Sequence, residues 1–160
     1  MSPLAVIAIQ STLSIVIFLL ITQHYIAPVL RRLPKEDAFV PLLFLNAFRY
    51  LPFILFAPGQ ISPQVSENTK SIIAYGDFIS AILALLSVLF LIYRIRGAIA
   101  LVWIFFIVGV ADSLIGTYTA LTAQLQLFPL GFGWVIVAFF VPMIFVSEAM
   151  IGFLLFTKGK

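Results

Sequence analysis

Long apolar runs separated by short polar breaks make up most of the chain. A helix crosses the ~30 Å hydrocarbon core of a bilayer with about 20 residues. Five apolar runs reach that length, and prolines or charged residues close most of them. The predicted spans are residues 3–27, 38–57, 71–93, 97–121 and 130–156. The pattern therefore predicts an all-α bundle of five transmembrane helices.

Two of these boundaries depend on less apolar sequence. The second predicted span contains Asn46, Arg49 and Pro52, so it is the least hydrophobic of the five. The fourth and fifth spans are separated only by the uncharged segment 122–129. Together they are far too long for a single crossing, so the chain must turn there.

Composition supports a lipid environment for the whole chain. Hydrophobic residues make up 63% of the 160 residues and charged residues 9%, against roughly 45–50% and about 25% in soluble domains. A water-soluble domain of this size could not bury so much apolar surface. The first run has no preceding Lys or Arg and is longer than the apolar core of a signal peptide, so we interpret it as a retained span. We expect residues 1–160 to form a single integral membrane domain.

The placement of basic residues predicts the orientation of the bundle. With five spans, the first loop, the third loop and the C-terminus lie on one side. That side holds Arg31, Arg32, Lys35, Arg94, Arg96, Lys158 and Lys160. The other side holds only Lys70, beside Glu67. Since cytoplasmic loops are enriched in Lys and Arg, we expect the N-terminus outside and the C-terminus in the cytoplasm.

Ionisable residues within the predicted spans are the candidate functional groups. Each costs about 2.5–3.5 kcal/mol at mid-helix, and such residues usually face the interior of a bundle. Counted along the helices, Arg49, Asp77 and Asp112 lie roughly 9–14 Å from the outer ends of their spans, in one layer. Asn46 and Tyr50 share the helix face of Arg49. We predict a ligand or proton site formed by these five residues.

The other two intramembrane ionisable residues lie nearer the inner side. His24 and Glu148 are roughly 6 and 12 Å from the inner ends of their spans, counted at the same helical rise. We predict that they form a secondary pair.

Small residues follow one face of the fourth span. Gly109, Ser113, Gly116 and Ala120 recur at spacings of four, three and four, and Asp112 borders them. Such a stripe lets membrane helices approach closely. We expect this face, and Asp112 with it, to meet a neighbouring helix.

The polar layer admits a structural and a functional interpretation. As structure, Arg49, Asp77 and Asp112 form an ion-pair network that decides which helices are neighbours. As function, two carboxylates against one arginine leave a negative charge that takes up a proton or holds a cationic ligand. The functional hypothesis is proton-linked transport or permeation. The alternatives are an intramembrane lipid-binding protein or enzyme, and a structural or accessory membrane subunit.

Several activities are disfavoured by what the sequence lacks. It has one histidine and no cysteine, so paired-histidine and thiolate metal sites are excluded, and we expect neither a metal nor a cofactor. Phosphate-binding and dinucleotide-binding glycine motifs are missing, which favours a role other than catalysis. The loops are too short for a nucleic-acid-reading module. The expected partners are the lipid bilayer and either a second copy of the chain or another membrane protein.

Three short motifs carry a resemblance to a known group. They are Ala74-Tyr75-Gly76-Asp77, Asn46-Ala47-Phe48-Arg49, and Trp103 followed by Gly109-x-x-Asp112. In these motifs the chain resembles uncharacterised small bacterial multi-pass integral membrane proteins. The resemblance implies a bacterial cytoplasmic membrane and no particular activity.

Overall fold

A computed structural model describes residues 1–157, and no strand occurs among them. Five helices in this range are long and apolar enough to cross a membrane. They are α1 (Pro3–Arg32), α2 (Lys35–Phe56), α3 (Glu67–Ile92), α4 (Ala98–Thr122) and α5 (Gly133–Thr157). The predicted all-α fold with five such helices is confirmed. Lys158 and Lys160, which contributed to the predicted orientation, lie outside the described residues.

Two helices begin earlier than predicted, and a polar capping residue accounts for the earlier start of one of them. Ser66 lies at the N-cap of α3, where its hydroxyl accepts from the Thr69 amide at 3.1 Å. Such caps satisfy amide groups that the first turn leaves unpaired. The helix therefore starts at Glu67 and not near residue 71. Helix α2 also starts earlier, at Lys35 directly after Pro34, but Pro34 makes no side-chain capping bond.

The predicted end of the first helix at residue 27 is wrong, since α1 continues through Pro28 to Arg32. A proline lacks the amide hydrogen and its ring crowds the preceding turn. In α1, that turn is a π-helical segment, Thr22–Ile26. A second π-helical segment, Ile136–Phe140, precedes Pro142 in α5. A wider turn accommodates each proline without ending the helix.

One end of the bundle carries most of the basic residues. Arg94, between α3 and α4, forms ion pairs with Glu36 and with Asp37, the latter at 2.7 Å. The hydrogen bond to Glu36 and the charge of Asp37 raise the pKa of Arg94 above its usual value. The Arg31 guanidinium lies 5.8 Å from the centre of the Phe153 ring, which brings the last turns of α5 to the same place. We call this the basic end.

Contacts at the opposite end join the other connections. The Trp134 indole donates to the Gln10 side chain at 2.8 Å, and the Phe132 amide donates to the Gln60 side chain at 3.4 Å. The start of α1, the loop after α2 and the start of α5 therefore lie together. The helices run alternately up and down between the two ends, and α1 and α5 are parallel neighbours.

The apolar core lies mainly towards the basic end. Helices α2 to α5 contribute fully buried side chains there, including Phe39, Leu43, Val88, Leu91, Val102, Phe105, Ile151 and Leu154. By contrast, no residue of α1 between Pro3 and Ile21 is buried. Helix α1 therefore lies at the side of the bundle, where the Phe18 ring meets the Phe139 ring at 5.0 Å. Towards the opposite end, this arrangement leaves space between α1 and the other helices.

Candidate functional site

Arg49 lies at the centre of the bundle and is 1% exposed. A buried charge is tolerated only when it is paired and hydrogen-bonded. Its guanidinium contacts three acidic side chains, each from a different helix. The distances are 2.8 Å from Nε to Asp77 and 2.7 Å from Nη2 to Asp112, and Nη1 donates to Glu148. We call these four residues the Arg49 cluster.

Two further contacts complete the hydrogen bonding of the guanidinium. Nη2 also donates to the Ser113 hydroxyl at 3.0 Å, and Nη1 to the Gly109 carbonyl at 3.4 Å. An arginine side chain has five N–H donors. Arg49 makes five donor contacts, one from Nε and two from each terminal nitrogen. The guanidinium is therefore fully occupied by the protein itself.

Serine hydroxyls from α3 and α4 hydrogen-bond to two carboxylates of the cluster. Ser113 lies 3.1 and 3.2 Å from the two Glu148 oxygens, and Ser80 donates to Asp112 Oδ2 at 3.4 Å. Ser80 follows Asp77 by three residues, which places both on one face of α3. Ser80 therefore shares a helix face with Asp77, and Ser113 lies on a small-residue face that Asp112 borders.

Two glycines allow the helices to come this close. A Cβ at Gly76 would overlap the Asp112 carboxylate, and a Cβ at Gly109 would lie 2.9 Å from a Glu148 oxygen and 3.2 Å from Arg49 Nη1. Small residues have this role in tightly packed membrane helices. Gly76 thus forms part of the wall against which Asp112 is held.

The cluster has more negative than positive groups. One guanidinium faces three carboxylates, so full ionisation would leave a surplus of two negative charges. The three acidic side chains differ in exposure: Asp77 is 20% exposed, Asp112 12% and Glu148 4%. The two aspartates are therefore the acids of the cluster that retain some exposure.

A cavity of about 270 Å³ lies beside the cluster on the side of the opposite end. Arg49, Asp77, Asp112 and Ser113 form its polar floor. Its walls are largely apolar and come from all five helices and the segment before α5; they include Leu4, Ile7, Leu55, Leu121, Leu130 and Phe140. Concave, mainly apolar sites with a few polar groups are the usual form of small-molecule pockets. The tightly packed core lies on the other side of the cluster, towards the basic end.

Comparison with known protein families gives one match. A family described as a domain of unknown function (DUF8737) matches residues 6–156. The chain belongs to the DUF8737 family. No curated protein and no solved structure matches it. The DUF8737 match covers α2, α3 and α4 in full, nearly all of α1 and α5, and every residue of the Arg49 cluster.

Of the residues predicted for the site, this DUF8737 chain brings Arg49, Asp77 and Asp112 together. Asn46 is buried beside them and donates to Ser147 at 2.9 Å, while its carbonyl oxygen has no partner in the described part of the chain. Tyr50 is placed differently. It is 46% exposed, and its ring lies 6.1 Å from that of Phe48, so it does not line the cavity.

The predicted pairing of His24 with Glu148 is not present. His24 is exposed, and its Nδ1 lies 3.0 Å from the Leu20 carbonyl of its own helix. Glu148 instead contacts Arg49 and Ser113. The prediction compared backbone depths only, whereas the long arginine side chain reaches deeper than its backbone position.

Sequence reasoning also left Ser80, Ser113 and Gly76 out of the site. Each had a signal in the sequence: Ser80 and Ser113 lie on the small-residue faces of their helices, and Gly76 directly precedes Asp77. Spacing placed Ser113 on the small-residue face of the fourth predicted span. It did not say which partner each face meets.

Proposed function

We propose that the chain is a multi-pass protein of a bacterial cytoplasmic membrane, with the N-terminus outside and the C-terminus inside. The basic end supports this orientation, because cytoplasmic loops are enriched in Lys and Arg. Within residues 1–157 it carries Arg31, Arg32, Lys35, Arg94 and Arg96, and the opposite end carries Lys70. The basic end is therefore the cytoplasmic one in this proposal.

Fusion of a reporter that works only in the cytoplasm tests the orientation. We expect activity when the reporter follows Lys160 and none when it is inserted in the 58–66 loop. Activity at the loop position, or at both positions, would contradict the proposed topology.

Within this membrane, we propose a proton-linked carrier whose site is the Arg49 cluster and its cavity. The observation that carries the proposal is that three carboxylates share one guanidinium while two of them border a cavity. A net charge in a low-dielectric interior is costly unless it is neutralised. Protons from the cavity neutralise the surplus, and a cationic ligand replaces them.

The packing of the bundle supports a carrier more than an open channel. The cavity lies on one side of the cluster, whereas the other side is filled by the core that contains Phe39, Leu43 and Phe105. Access from one side at a time is the requirement for a carrier. The described conformation corresponds to the outward-facing one if the basic end is cytoplasmic.

Infrared titration of the purified protein in lipid tests the protonation step. We expect a protonated-carboxyl band that responds to external pH and changes in Asp77→Asn and Asp112→Asn. Glu36→Gln is the matched control, because Glu36 pairs with Arg94 at the basic end and not with the cluster. If the wild-type protein has no such band, the cluster is a structural ion-pair network, and the accessory-subunit hypothesis replaces the carrier.

A further inference from the structure

We infer that the cavity binds a small organic cation with an apolar body, such as a substituted ammonium ion, whose positive group lies against Asp77 and Asp112. The inference deepens the proposed function by naming its ligand class, and it rests on that function only for the transport step. Three independent properties of the cavity lead to this class of ligand: its donors, its charge and its walls.

The donor arrangement excludes an anion. All five N–H donors of Arg49 already contact the protein, at Asp77, Glu148, Gly109, Asp112 and Ser113. An anionic ligand would therefore find no free guanidinium donor and would face two carboxylates. Like charges in a desolvated site oppose binding. The arginine in the floor of this cavity orients the acids and is not a ligand for phosphate or carboxylate.

The charge of the floor favours a cation. The cluster has two negative charges in excess when it is ionised, and the most exposed of its acids are Asp77 and Asp112. Arg49 donates to one oxygen of each aspartate, Oδ1 of Asp77 and Oδ2 of Asp112. Glu148, at 4% exposure, lies behind them. A positive ligand group thus meets the two aspartates first.

The walls favour an organic cation over a metal ion. Around the floor the cavity is lined by side chains such as Ile7, Ile15, Ile73, Phe140 and Phe145. A hard metal ion needs about six oxygen ligands to replace its hydration shell. Outside the floor, the lining offers side-chain oxygens only at Ser11, Thr117 and Gln126 and is otherwise apolar. An apolar ligand body instead gains about 25 cal/mol for each Å² that it buries. The volume of about 270 Å³ suits a ligand with a single ring or a few short alkyl groups.

Binding of such a cation displaces protons from the cluster, since both neutralise the same surplus charge. One permanent positive charge replaces about one proton, so affinity should change up to tenfold for each pH unit over which the cluster titrates. This competition is the physical basis for linking ligand movement to proton movement in opposite directions.

Calorimetric titration of the full chain in phosphatidylcholine nanodiscs tests the inference, with empty nanodiscs as the baseline. The probes are benzyltrimethylammonium, benzyl alcohol and benzenesulfonate, which share a ring and differ in charge. We expect the cation to bind at least tenfold more tightly than the other two and to release protons, measured in buffers of different ionisation enthalpy. Equal binding of the cation and the alcohol, or tighter binding of the sulfonate, would overturn the inference, as would no binding of any probe.

Variants separate the charge from the shape of the site. Asp77→Asn should lower the affinity for the cation at least tenfold, and Glu36→Gln should leave this affinity unchanged. Gly116→Val narrows the cavity at a lining position where an added Cβ has no atom within 4 Å. This variant should bind the cation less tightly and keep the protonated-carboxyl band of the wild type. If Gly116→Val and Asp77→Asn both bind the cation as the wild type does, the cavity is not the site.

The result also distinguishes this inference from the proposed function. A pH-dependent carboxyl band without cation binding would refute the ligand class and leave proton exchange standing. Cation binding without proton release would support the ligand class and refute the proton link.

Discussion

Replacement of Gly76 by alanine tests how the Arg49 cluster is assembled. The Cα of Gly76 lies against the Asp112 carboxylate, so closely that a Cβ would overlap it. Asp112 is held from other directions by Arg49 at 2.7 Å and by Ser80 at 3.4 Å. The carboxylate can therefore make room for a methyl group only by moving away from these partners.

The size of the effect follows from two opposing contributions. A hydrogen bond to a charged partner contributes about 1.5–3 kcal/mol, and alanine is better than glycine in a helix by about 1 kcal/mol. Gly76→Ala should therefore lower the free energy of unfolding by about 0.5–2 kcal/mol. Gly116 is the matched control, because it lies in α4 beside the same cavity and has open space around an added Cβ. Gly116→Ala should raise stability by about 1 kcal/mol.

Thermal unfolding in detergent, followed by the emission of Trp103 and Trp134, measures the difference. The two variants should differ by about 1.5–3 kcal/mol, which for a chain of this size corresponds to about 3–12 °C in the unfolding midpoint. Gly76→Ala should have the lower midpoint, and its carboxyl band should differ from that of the wild type. Equal midpoints for the two variants would refute the claim that Gly76 holds Asp112 in place.

Two further substitutions test the ion pairs. Arg49→Gln should lower the yield of folded protein, since it leaves three buried acids without their cation and breaking one side of a buried pair costs about 3–5 kcal/mol. Adding Asp112→Asn should recover part of it, because one of the stranded carboxylates is then removed; a double variant as poor as Arg49→Gln alone would refute the pairing. Arg94→Gln should lower the unfolding midpoint less than Gly76→Ala does, and high salt should abolish the difference from wild type, because the Arg94 pairs with Glu36 and Asp37 are exposed. A large, salt-independent loss would contradict that assignment.

The number of long apolar helices was predictable because length and hydrophobicity act locally. Each of the five runs is apolar along its own length, so no knowledge of its neighbours is needed. Helix ends were less predictable. Pro28 would stop an ordinary α-helix, yet α1 passes through it behind the π-helical segment Thr22–Ile26. Composition does not distinguish a proline that ends a helix from one that follows a widened turn.

The site was predictable only in part because its members come from different helices. Depth counted along each helix brought Arg49, Asp77 and Asp112 into one layer, and the structure places them in contact. Depth counting failed for Glu148, which was assigned to the inner layer with His24. A backbone position does not show how far an arginine side chain extends, nor in which direction. Pairings of this kind depend on rotamers and on neighbouring helices, which a single sequence does not specify.

The presence of an arginine among three acids also explains why the site depends on so many small residues. A lysine has three donors around one point, whereas the planar guanidinium presents five in fixed directions. Those directions oblige α3, α4 and α5 to bring a carboxylate each to a set position around Arg49. Gly76 and Gly109 permit that approach. Ser113 and the Gly109 carbonyl accept from the remaining guanidinium donors, and Ser80 donates to Asp112. The same geometry that saturates the arginine places Asp77 and Asp112, the two more exposed acids, at the floor of the cavity.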